Sequence, residues 1–298
     1  MNLITTERLS KHYGRRVGVD AVDLAIPEGD IFGFLGPNGA GKTTAIRLLL
    51  GFLKPTAGRA KIFGLDCWTE SSRIKREVGY LPGDLRLYPW MTLGSALKVF
   101  GQIRGVDLST AGGELAERFR LEGDLRVRKM SRGTRQKLGL VLALAHQPRL
   151  VILDEPTSGL DPLVQQELAE CLRELASRGH TVFFSSHTLS DVEQLCDRIA
   201  MVREGRIVVD ETLQTLRRRA RRSVTLIFES NGSASRTDVP AFLEVQARSA
   251  NQWRCELVGA SRELVRWAAT QPIEDLSVGP PDLESLFRKY YQTHETGT

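Results

Sequence analysis

The stretch DIFGFLGPNGAGKTTAIRLLL, residues 30–50, determines the fold of this chain. An apolar strand leads into a glycine-rich loop, and a helix follows the loop. The loop carries the pattern Gly-x-x-x-x-Gly-Lys-Thr from Gly36 to Thr43, which binds phosphate when it lies between a strand and a helix. Glycines let the backbone wrap around phosphate with its N–H groups turned inward, and the helix N-terminus adds the positive end of its dipole. The stretch therefore predicts a nucleotide-binding loop.

Individual roles follow for the residues of this loop. Lys42 is expected to reach the β- and γ-phosphates, Thr43 to place its hydroxyl on Mg²⁺, and Thr44 to donate to a phosphate. The alternative is a glycine-rich turn with a chance lysine, which the strand, the spacing and the helix together disfavour. The predicted nucleotide contacts are Gly36, Pro37, Asn38, Gly39, Ala40, Gly41, Lys42, Thr43 and Thr44.

A pair of carboxylates ends a second apolar strand. RLVILDEPTSGLD, residues 149–161, carries four apolar residues up to Asp154 and Glu155. Ligands of parallel sheets bind at the carboxyl ends of the strands, so Asp154 is expected to hold Mg²⁺, directly or through water. Glu155 is expected to reach the same cavity and to orient and deprotonate an attacking water. Two buried carboxylates without a metal would be costly, which disfavours a purely structural role.

The composition limits the class of protein. The chain has 298 residues, of which 41% are apolar and 26% are charged, as in soluble globular proteins. No apolar run approaches the roughly 20 residues that span a bilayer, and the first residues lack the apolar core of a signal peptide. The net charge of +5 is weak evidence for nucleic-acid binding. We therefore expect a cytosolic protein that meets a membrane only through a partner.

Strands and helices alternate over most of the chain. This alternation predicts an α/β fold with a mainly parallel sheet that helices cover on both faces. One helix is predicted over residues 42–53, and Ser190 with Glu193 is typical of a capping box before another. Composition changes after the alternating part, so we expect a nucleotide-binding domain over residues 1–215 and a small α+β domain over residues 220–298.

Six motifs in order resemble those of the ATP-binding subunits of ABC transporters, and the resemblance covers residues 1 to about 215. GPNGAGKTT and LVILDEP resemble the family's Walker A and Walker B motifs. KMSRGTRQK, residues 129–137, resembles its signature, and SGLD, residues 158–161, resembles its D-loop. SSH, which ends at His187, resembles its switch histidine, and Tyr13 falls where the family has an aromatic residue under the adenine ring.

This resemblance implies the ABC type of the P-loop NTPase fold, with a helical subdomain over about residues 84–148, and it implies ATP and Mg²⁺ as ligands. In the family, two ATP-binding domains pack head to tail. Ser131 and the backbone N–H of Gly133 would then grip the ATP of a second subunit, and Asp161 would contact that subunit. His187 would contact the γ-phosphate and act in catalysis with Lys42 and Glu155.

Several assignments have a simpler alternative. Ser131 could be only a helix cap, His187 a satisfied histidine at a strand end, and Tyr13 a plain strand residue. Asp161 followed by Pro162 is a good N-cap and N1 pair. We expect Asp161 both to cap its helix and to contact the opposite subunit.

Three positions depart from the family's pattern. The signature usually has glycine where Arg132 stands and glutamine where Thr134 stands, and a basic residue at the first position resembles the exporter branch. The Q-loop usually has glutamine or glutamate where Gly83 stands, and Asp84 is out of register by one residue, so no side chain of this loop is expected on Mg²⁺. The apolar residues within 85–91 are expected to pack locally or to receive a helix of a membrane subunit.

The residues and the resemblance together predict an ATP-binding and hydrolysing subunit that powers a membrane exporter. The expected partners are an integral-membrane permease subunit and a second ATP-binding subunit, in a homodimer, and not nucleic acid. The chain would lie at the cytoplasmic face of the membrane. The alternatives are a soluble ABC ATPase that acts on nucleic acid or protein assemblies, and a regulator that binds ATP without turnover. The basic run at residues 217–222 is expected to be a solvated link, with anionic lipid headgroups as the rival interpretation.

Overall fold

A computed structural model describes residues 2–229 and 238–292 of the chain. The chain divides into two compact units between Leu213 and Gln214, and each unit has its own sheets and its own buried core. Within the described ranges, every helix is too short or too polar to cross a bilayer.

The first unit contains ten strands, seven α-helices and a short 3₁₀ helix (Val127–Lys129) in its described part. Its strands are β1 (Asn2–Tyr13), β2 (Arg16–Pro27), β3 (Ile31–Leu35), β4 (Ala57–Ile62), β5 (Leu65–Asp66), β6 (Val78–Leu81), β7 (Leu150–Asp154), β8 (Thr181–Ser186), β9 (Arg198–Arg203) and β10 (Arg206–Thr212). Its helices are α1 (Lys42–Leu49), α2 (Ser71–Arg76), α3 (Leu93–Arg104), α4 (Ser109–Arg118), α5 (Arg132–Leu144), α6 (Pro162–Ser177) and α7 (Leu189–Leu195).

A six-stranded sheet in the order β10-β9-β3-β8-β7-β6 forms the centre of this unit. Its neighbours pair in parallel, except for the antiparallel pair β9–β10. Every residue of β3, β7 and β8 is buried, as expected for parallel strands with helices on both faces. The predicted α/β fold is confirmed.

A second, antiparallel sheet in the order β2-β1-β4-β5 packs into the same core. The apolar stretches AVDLAI, residues 21–26, and KIFG, residues 61–64, predict only the second half of β2 and part of β4, and no such stretch predicts β1. Register shifts interrupt the pairing of β1 with β2, and Arg8 and Ala21 have positive φ values of 44° and 48°. Such bulges break the strict alternation of apolar and polar residues, which explains why the pattern did not predict these strands in full.

Two predicted helix boundaries are wrong. Helix α1 ends at Leu49 rather than at residue 53, because the chain turns at Gly51, whose φ is +63° and where a Cβ would lie 2.3 Å from the carbonyl oxygen of Cys67. The predicted capping box does not form, because α7 begins at Leu189 and Ser190 lies inside it. The hydroxyl of Ser186 instead accepts from the amide of Thr188 at 2.9 Å.

Helices α3, α4 and α5 lie between β6 and β7 in the chain, and arginines connect them to the rest of the unit. Arg104 of α3 donates to the carbonyl oxygen of Val78 at 3.0 Å. Arg118 of α4 donates to both carboxylate oxygens of Glu174 in α6, at 2.7 and 2.8 Å, and to Glu167 at 3.2 Å. Bidentate arginine–carboxylate pairs are among the more specific polar contacts, so these bonds help to fix where α3 and α4 attach.

The second unit is built on a four-stranded antiparallel sheet in which strand β11 (Arg222–Phe228) is central. Its other elements are α8 (Leu213–Arg219), β12 (Leu243–Arg248), β13 (Gln252–Leu257), α9 (Ser261–Ala268), β14 (Ile273–Pro281) and α10 (Leu283–Gln292), and the strand order is β12-β13-β11-β14. Phe228, Trp253 and Leu264 are fully buried in its core. Within the basic run, Arg221 pairs with Glu244 and Glu256.

The contact between β6 and α5 leaves no room for a side chain, and this generates a stability prediction. A Cβ on Gly79 would lie 2.0 Å from the carbonyl oxygen of Ala143, so Gly79→Ala should lower the free energy of unfolding by about 2 kcal/mol or more. Gly113→Ala in α4 is the matched control, because its Cβ would meet nothing within 4 Å and alanine favours a helix over glycine by up to about 1 kcal/mol. Urea unfolding of both variants checks the opposite signs. Equal stability of the two variants would contradict this account of the contact.

Candidate functional site

The glycine-rich loop and the two carboxylates meet at one edge of the six-stranded sheet. Strand β3 leads into the loop, β7 ends at Asp154, and β8, which lies between them, ends one residue before His187. Because parallel strands end at the same edge, the three segments enclose a cleft of about 750 Å³. The cleft is lined by Asn38, Thr43, Arg47, Tyr80, Pro82, Gly83, Asp84, Arg86, Arg132, Asp154, Glu155, Ser158 and His187.

Three glycines shape the loop for two different reasons. Gly39 has a φ of +83°, with open space at its Cβ position. Gly41 has a φ of +110°, and a Cβ there would lie 2.3 Å from the carbonyl oxygen of Gly18. A Cβ on Gly36 would lie 2.4 Å from the carbonyl oxygen of Val202. Packing on a neighbouring strand therefore requires glycine at residue 36, backbone conformation requires it at residue 39, and both reasons apply at residue 41.

Lys42, the first residue of α1, is buried, with only 6% of its side chain exposed. Its ammonium donates to the carbonyl oxygen of Gly36 at 2.5 Å and to that of Pro37 at 3.2 Å. It also lies 3.1 Å from Oε1 of Glu155. A buried ammonium needs such partners because it has lost its hydration. Lys42 therefore connects the start of the loop to the end of β7.

The two residues predicted to hold Mg²⁺ are in direct contact. The Thr43 hydroxyl donates to Oδ2 of Asp154 at 2.8 Å, and the Ser185 hydroxyl donates to Oδ1 of Asp154 at 2.6 Å. Mg²⁺ takes a few hydroxyl and carboxylate oxygens from a protein and completes its shell with phosphate oxygens and water, so this donor set fits the ion. Among the residues that the structure describes, there is no group of three or more His, Cys, Asp and Glu side chains that could form a closed metal site.

Glu155 directly follows β7 and has a φ of +53°, in the left-handed region that non-glycine residues seldom adopt. Its amide donates to the carbonyl and hydroxyl oxygens of Ser185, both at 3.2 Å. Its Oε1 faces Lys42, and its Oε2 lies 2.5 Å from Nδ1 of His187. Lys42 and His187, two of the three residues predicted to act in catalysis, therefore both contact the carboxylate of the third, Glu155.

Gly83 borders the same carboxylate pair. A Cβ on Gly83 would lie 3.4 Å from Oδ2 of Asp154, so a longer side chain at this position would reach the predicted metal site. The neighbouring Asp84 instead pairs with Arg86 at 2.8 Å, and its side chain is 76% exposed. In this structure, Asp84 therefore contacts a surface arginine rather than Thr43 or Asp154.

Tyr13, the last residue of β1, lies beside the loop. A Cβ on Gly18 would lie 2.9 Å from both Cε2 of Tyr13 and Cγ2 of Thr44, so the ring and the predicted phosphate contact Thr44 both pack at Gly18. Tyr13 is 44% exposed, and the Lys11 ammonium lies 5.5 Å from its ring centroid. An exposed aromatic face beside a phosphate-binding loop is suited to stack on a nucleotide base.

Two of the three residues predicted to face a second subunit, Ser131 and Asp161, cap helices, and the third, Gly133, lies in the first turn of α5. The hydroxyl of Ser131 accepts from the amide of Thr134 at 3.1 Å at the start of α5. A carboxylate oxygen of Asp161 accepts from the amide of Val164 at 3.0 Å at the start of α6, and this bond lowers the pKa of the Asp161 carboxyl. Both side chains are exposed. Each residue therefore caps its helix, and the Ser131 hydroxyl and the Asp161 carboxylate both remain accessible to a second subunit.

The sequence did not indicate that the tip of α5 packs on the loop after β7. Arg132 donates to the hydroxyl of Ser158 at 2.8 Å, and a Cβ on Gly133 would lie 2.4 Å from the carbonyl oxygen of Gly159. These partners are 26 residues apart, so no local pattern could have paired them. Ser185, which bonds to Asp154, was also missed, and its position at the polar end of the apolar strand TVFFSS was the available signal.

Comparisons with known proteins agree with this geometry. A family model described as ABC transporter matches residues 19–158. The chain is 40% identical over 223 residues to the bacitracin transport ATP-binding protein of Bacillus licheniformis. The matched region covers 74% of this chain and 73% of the relative. It is 36% identical over 212 residues to a Nod factor export ATP-binding protein of Paraburkholderia xenovorans, with 70% of each chain covered. A solved ATP-binding subunit of an ABC transporter matches with a TM-score of 0.67 and 29% identity, over 72% of this chain and 92% of that chain.

These relatives match the chain over most of its length and over most of their own. The glycine-rich loop, the two carboxylates and the histidine lie together at one edge of the mainly parallel sheet. The predicted family, the ABC type of P-loop α/β fold and the predicted ATPase are confirmed. The chain belongs to the ATP-binding proteins of the ABC transporters, a family of ATPases.

Proposed function

We propose that this chain hydrolyses ATP to power a membrane exporter, as one of two such subunits in a head-to-tail pair. The pair would lie at the cytoplasmic face of the membrane, bound to an integral-membrane permease subunit. One observation carries the proposal: the carboxylate of Glu155 lies between Lys42 and His187, beside the contact of Thr43 with Asp154. This is the set of groups that transfer of a phosphoryl group to water requires.

ATP would bind along the loop and beside Tyr13. The backbone N–H groups of residues 36–41 and the hydroxyl of Thr44 would surround the phosphates. Lys42 would exchange its carbonyl partners for the β- and γ-phosphates, because a phosphate oxygen offers its ammonium a stronger, charge-assisted hydrogen bond. The adenine would stack on the exposed ring of Tyr13, which is worth about 1 kcal/mol.

Thr43 and Asp154 would hold Mg²⁺, with Ser185 orienting the carboxylate through its bond to Oδ1. When bound, the ion would neutralise negative charge on the phosphates. Gly83 supports a shell in which water takes the place of a Q-loop side chain, because nothing projects from this position toward Asp154.

Glu155 would act as the general base. The water oxygen forms a bond to the γ-phosphorus while the bond from that phosphorus to the bridging oxygen of ADP breaks, and the water's proton passes to the Glu155 carboxylate. Lys42 and His187 would stabilise the charge on the transferred group, together with the serine of a second subunit. The products are ADP and inorganic phosphate.

The second subunit would complete this site through the tip of α5. Ser131 and the backbone N–H of Gly133 lie at a helix N-terminus, which favours an anion. Asp161 would contact the opposite subunit. A two-fold pair of identical chains would make two equal sites.

The permease would dock on a groove between the helical subdomain and the six-stranded sheet. The groove has a volume of about 220 Å³, and its lining includes Leu85, Leu87 and Phe100. Nearby, Tyr88 and Trp90 stack with ring centroids 6.0 Å apart and are 65% and 55% exposed. An exposed apolar surface of this kind suits a helix from a partner. The two relatives are named for bacitracin transport and Nod factor export, which supports an exporter.

Glu155→Gln should bind ATP and accumulate as closed dimers, because the amide cannot take the proton from water. We expect its steady-state ATPase rate to fall at least about 100-fold. Lys42→Ala is the control that should lose ATP binding as well. Phosphate release and size-exclusion chromatography with ATP measure the two effects, and undiminished turnover by Glu155→Gln would remove Glu155 from this role.

Ser131→Arg should stop hydrolysis while each monomer still binds nucleotide, because the large cation blocks the approach of the second subunit. Ser131→Asp separates this effect from capping: aspartate caps a helix as well as serine does, but its charge repels the partner's phosphates. We expect Ser131→Asp to keep the melting temperature and to lose at least about tenfold in turnover, as lost oxyanion contacts do. If both variants are destabilised and the stable fraction turns over normally, Ser131 is only a cap.

The double substitution Tyr88→Ser with Trp90→Ser should reduce recovery of a membrane partner without changing the basal ATPase rate. Trp68→Ser is a matched control, because Trp68 is 43% exposed and lies outside this surface. Tagged protein would be recovered from detergent-solubilised membranes. A polytopic membrane partner lost only from the double variant supports the proposal. Recovery of nucleic acid or a soluble assembly instead would favour a soluble ABC ATPase.

A further inference from the structure

Gln136, on α5, reaches the backbone of the loop that carries Glu155. It is 6% exposed, and its Nε2 donates to the carbonyl oxygen of Pro156 at 3.1 Å and to that of Glu155 at 3.3 Å. Only the NH₂ group of a glutamine side chain can donate, so two carbonyl acceptors determine the orientation of this amide. Gln136 thus holds two consecutive carbonyl groups directly after β7.

The conformation of Glu155 depends on such support. A non-glycine residue keeps a positive φ only where its surroundings enforce it. On the amide side of Glu155, the N–H group bonds to Ser185. On the carbonyl side, the oxygen bonds to Gln136. The peptide groups on both sides of Glu155 are therefore held by buried residues.

Gln165 of α6 provides a useful comparison, because it binds the same loop further along. Its Nε2 donates to the carbonyl oxygens of Thr157 at 3.3 Å and Leu160 at 3.1 Å. Gln165 therefore supports the later part of the loop, whereas Gln136 acts on the peptide group of Glu155 itself.

We propose that Gln136 is a positioning residue for Glu155, setting the backbone from which the carboxylate reaches the cleft. The proposal rests on the proposed role of Glu155 as general base. Gln136 does not line the cleft, so its loss should leave ATP binding nearly intact. A misplaced base slows the chemical step, so the effect should fall on kcat rather than on KM.

Gln136→Met removes both hydrogen bonds and keeps a side chain of similar length. We expect kcat to fall roughly 10- to 100-fold, with KM for ATP within about threefold of the wild-type value. Gln166→Met is the matched control, because Gln166 is an exposed helical glutamine whose amide bonds to Glu170 at 3.0 Å. That variant should keep the wild-type kcat. Glu155→Gln is measured beside both, so that loss of the base is seen separately from its misplacement.

Gln136→Glu supplies a readout that a merely structural role would not move. Its ionised carboxylate would face two carbonyl oxygens and could not donate, whereas its protonated form could donate to one of them. The ratio of its kcat to the wild-type kcat should therefore rise at least about threefold from pH 8 to pH 6. The corresponding ratio for Gln136→Met should stay flat, because methionine adds no ionisable group and the charged groups around this loop, Lys42, Asp154, Glu155 and His187, are the same in both proteins of each ratio.

The outcomes separate this proposal from the proposed function. A low kcat with a preserved KM in Gln136→Met, and a ratio that rises toward low pH in Gln136→Glu, support the positioning role. A kcat within twofold of wild type, a KM that rises in step, or a flat ratio for Gln136→Glu would overturn it. If both variants are unfolded by circular dichroism, Gln136 serves the fold and the proposal fails. Turnover that survives in Glu155→Gln would instead remove Glu155 as the base.

Discussion

The ammonium of Lys42 is almost fully removed from water, and the site is arranged around this constraint. Burial of a charge is tolerated only where partners replace the lost hydration. Two carbonyl oxygens of the glycine-rich loop and the carboxylate of Glu155 meet that need. Because these partners come from the segment after β3 and from the end of β7, the same contacts that satisfy the charge also bring the loop and the carboxylates to one edge of the sheet.

Helix α5 connects this edge to the surface that a second subunit would approach. Its capping residue Ser131 is exposed, and Arg132 one position later bonds to Ser158. Four residues further on, Gln136 bonds to the carbonyl oxygen of Glu155. A rigid helix thus spans from an exposed hydroxyl to the peptide group of the proposed base. Contact of a second subunit with Ser131 would therefore be made on the same helix that supports the backbone of Glu155.

The parts of the fold and the site that the sequence predicted are those whose determinants lie close together in the chain. Lys42 and Thr43 follow their glycines directly, and Asp154 and Glu155 end an apolar run, so the sequence predicted their positions. The sequence did not predict strand β1, because bulges disturb its alternation of apolar and polar residues. The end of α1 depends on the close approach of Gly51 to the carbonyl group of Cys67, which follows β5, and the first turn of α5 contacts its loop across a gap of 26 residues. Such contacts arise only once the chain has folded.

The close approach of the Gly18 carbonyl group to Gly41 limits which substitutions the sequence can accept during evolution. The side chains that would touch a nucleotide could be exchanged for others of similar charge, with a graded loss of affinity. At Gly41 even one added methyl group would collide with the backbone of a neighbouring strand at 2.3 Å, and no side-chain adjustment relieves a clash with main chain. If glycine were invariant at this position among related sequences, the cause would be packing within the fold rather than recognition of a ligand. A glycine kept through a lineage of this chain is therefore no measure of how closely ATP approaches it.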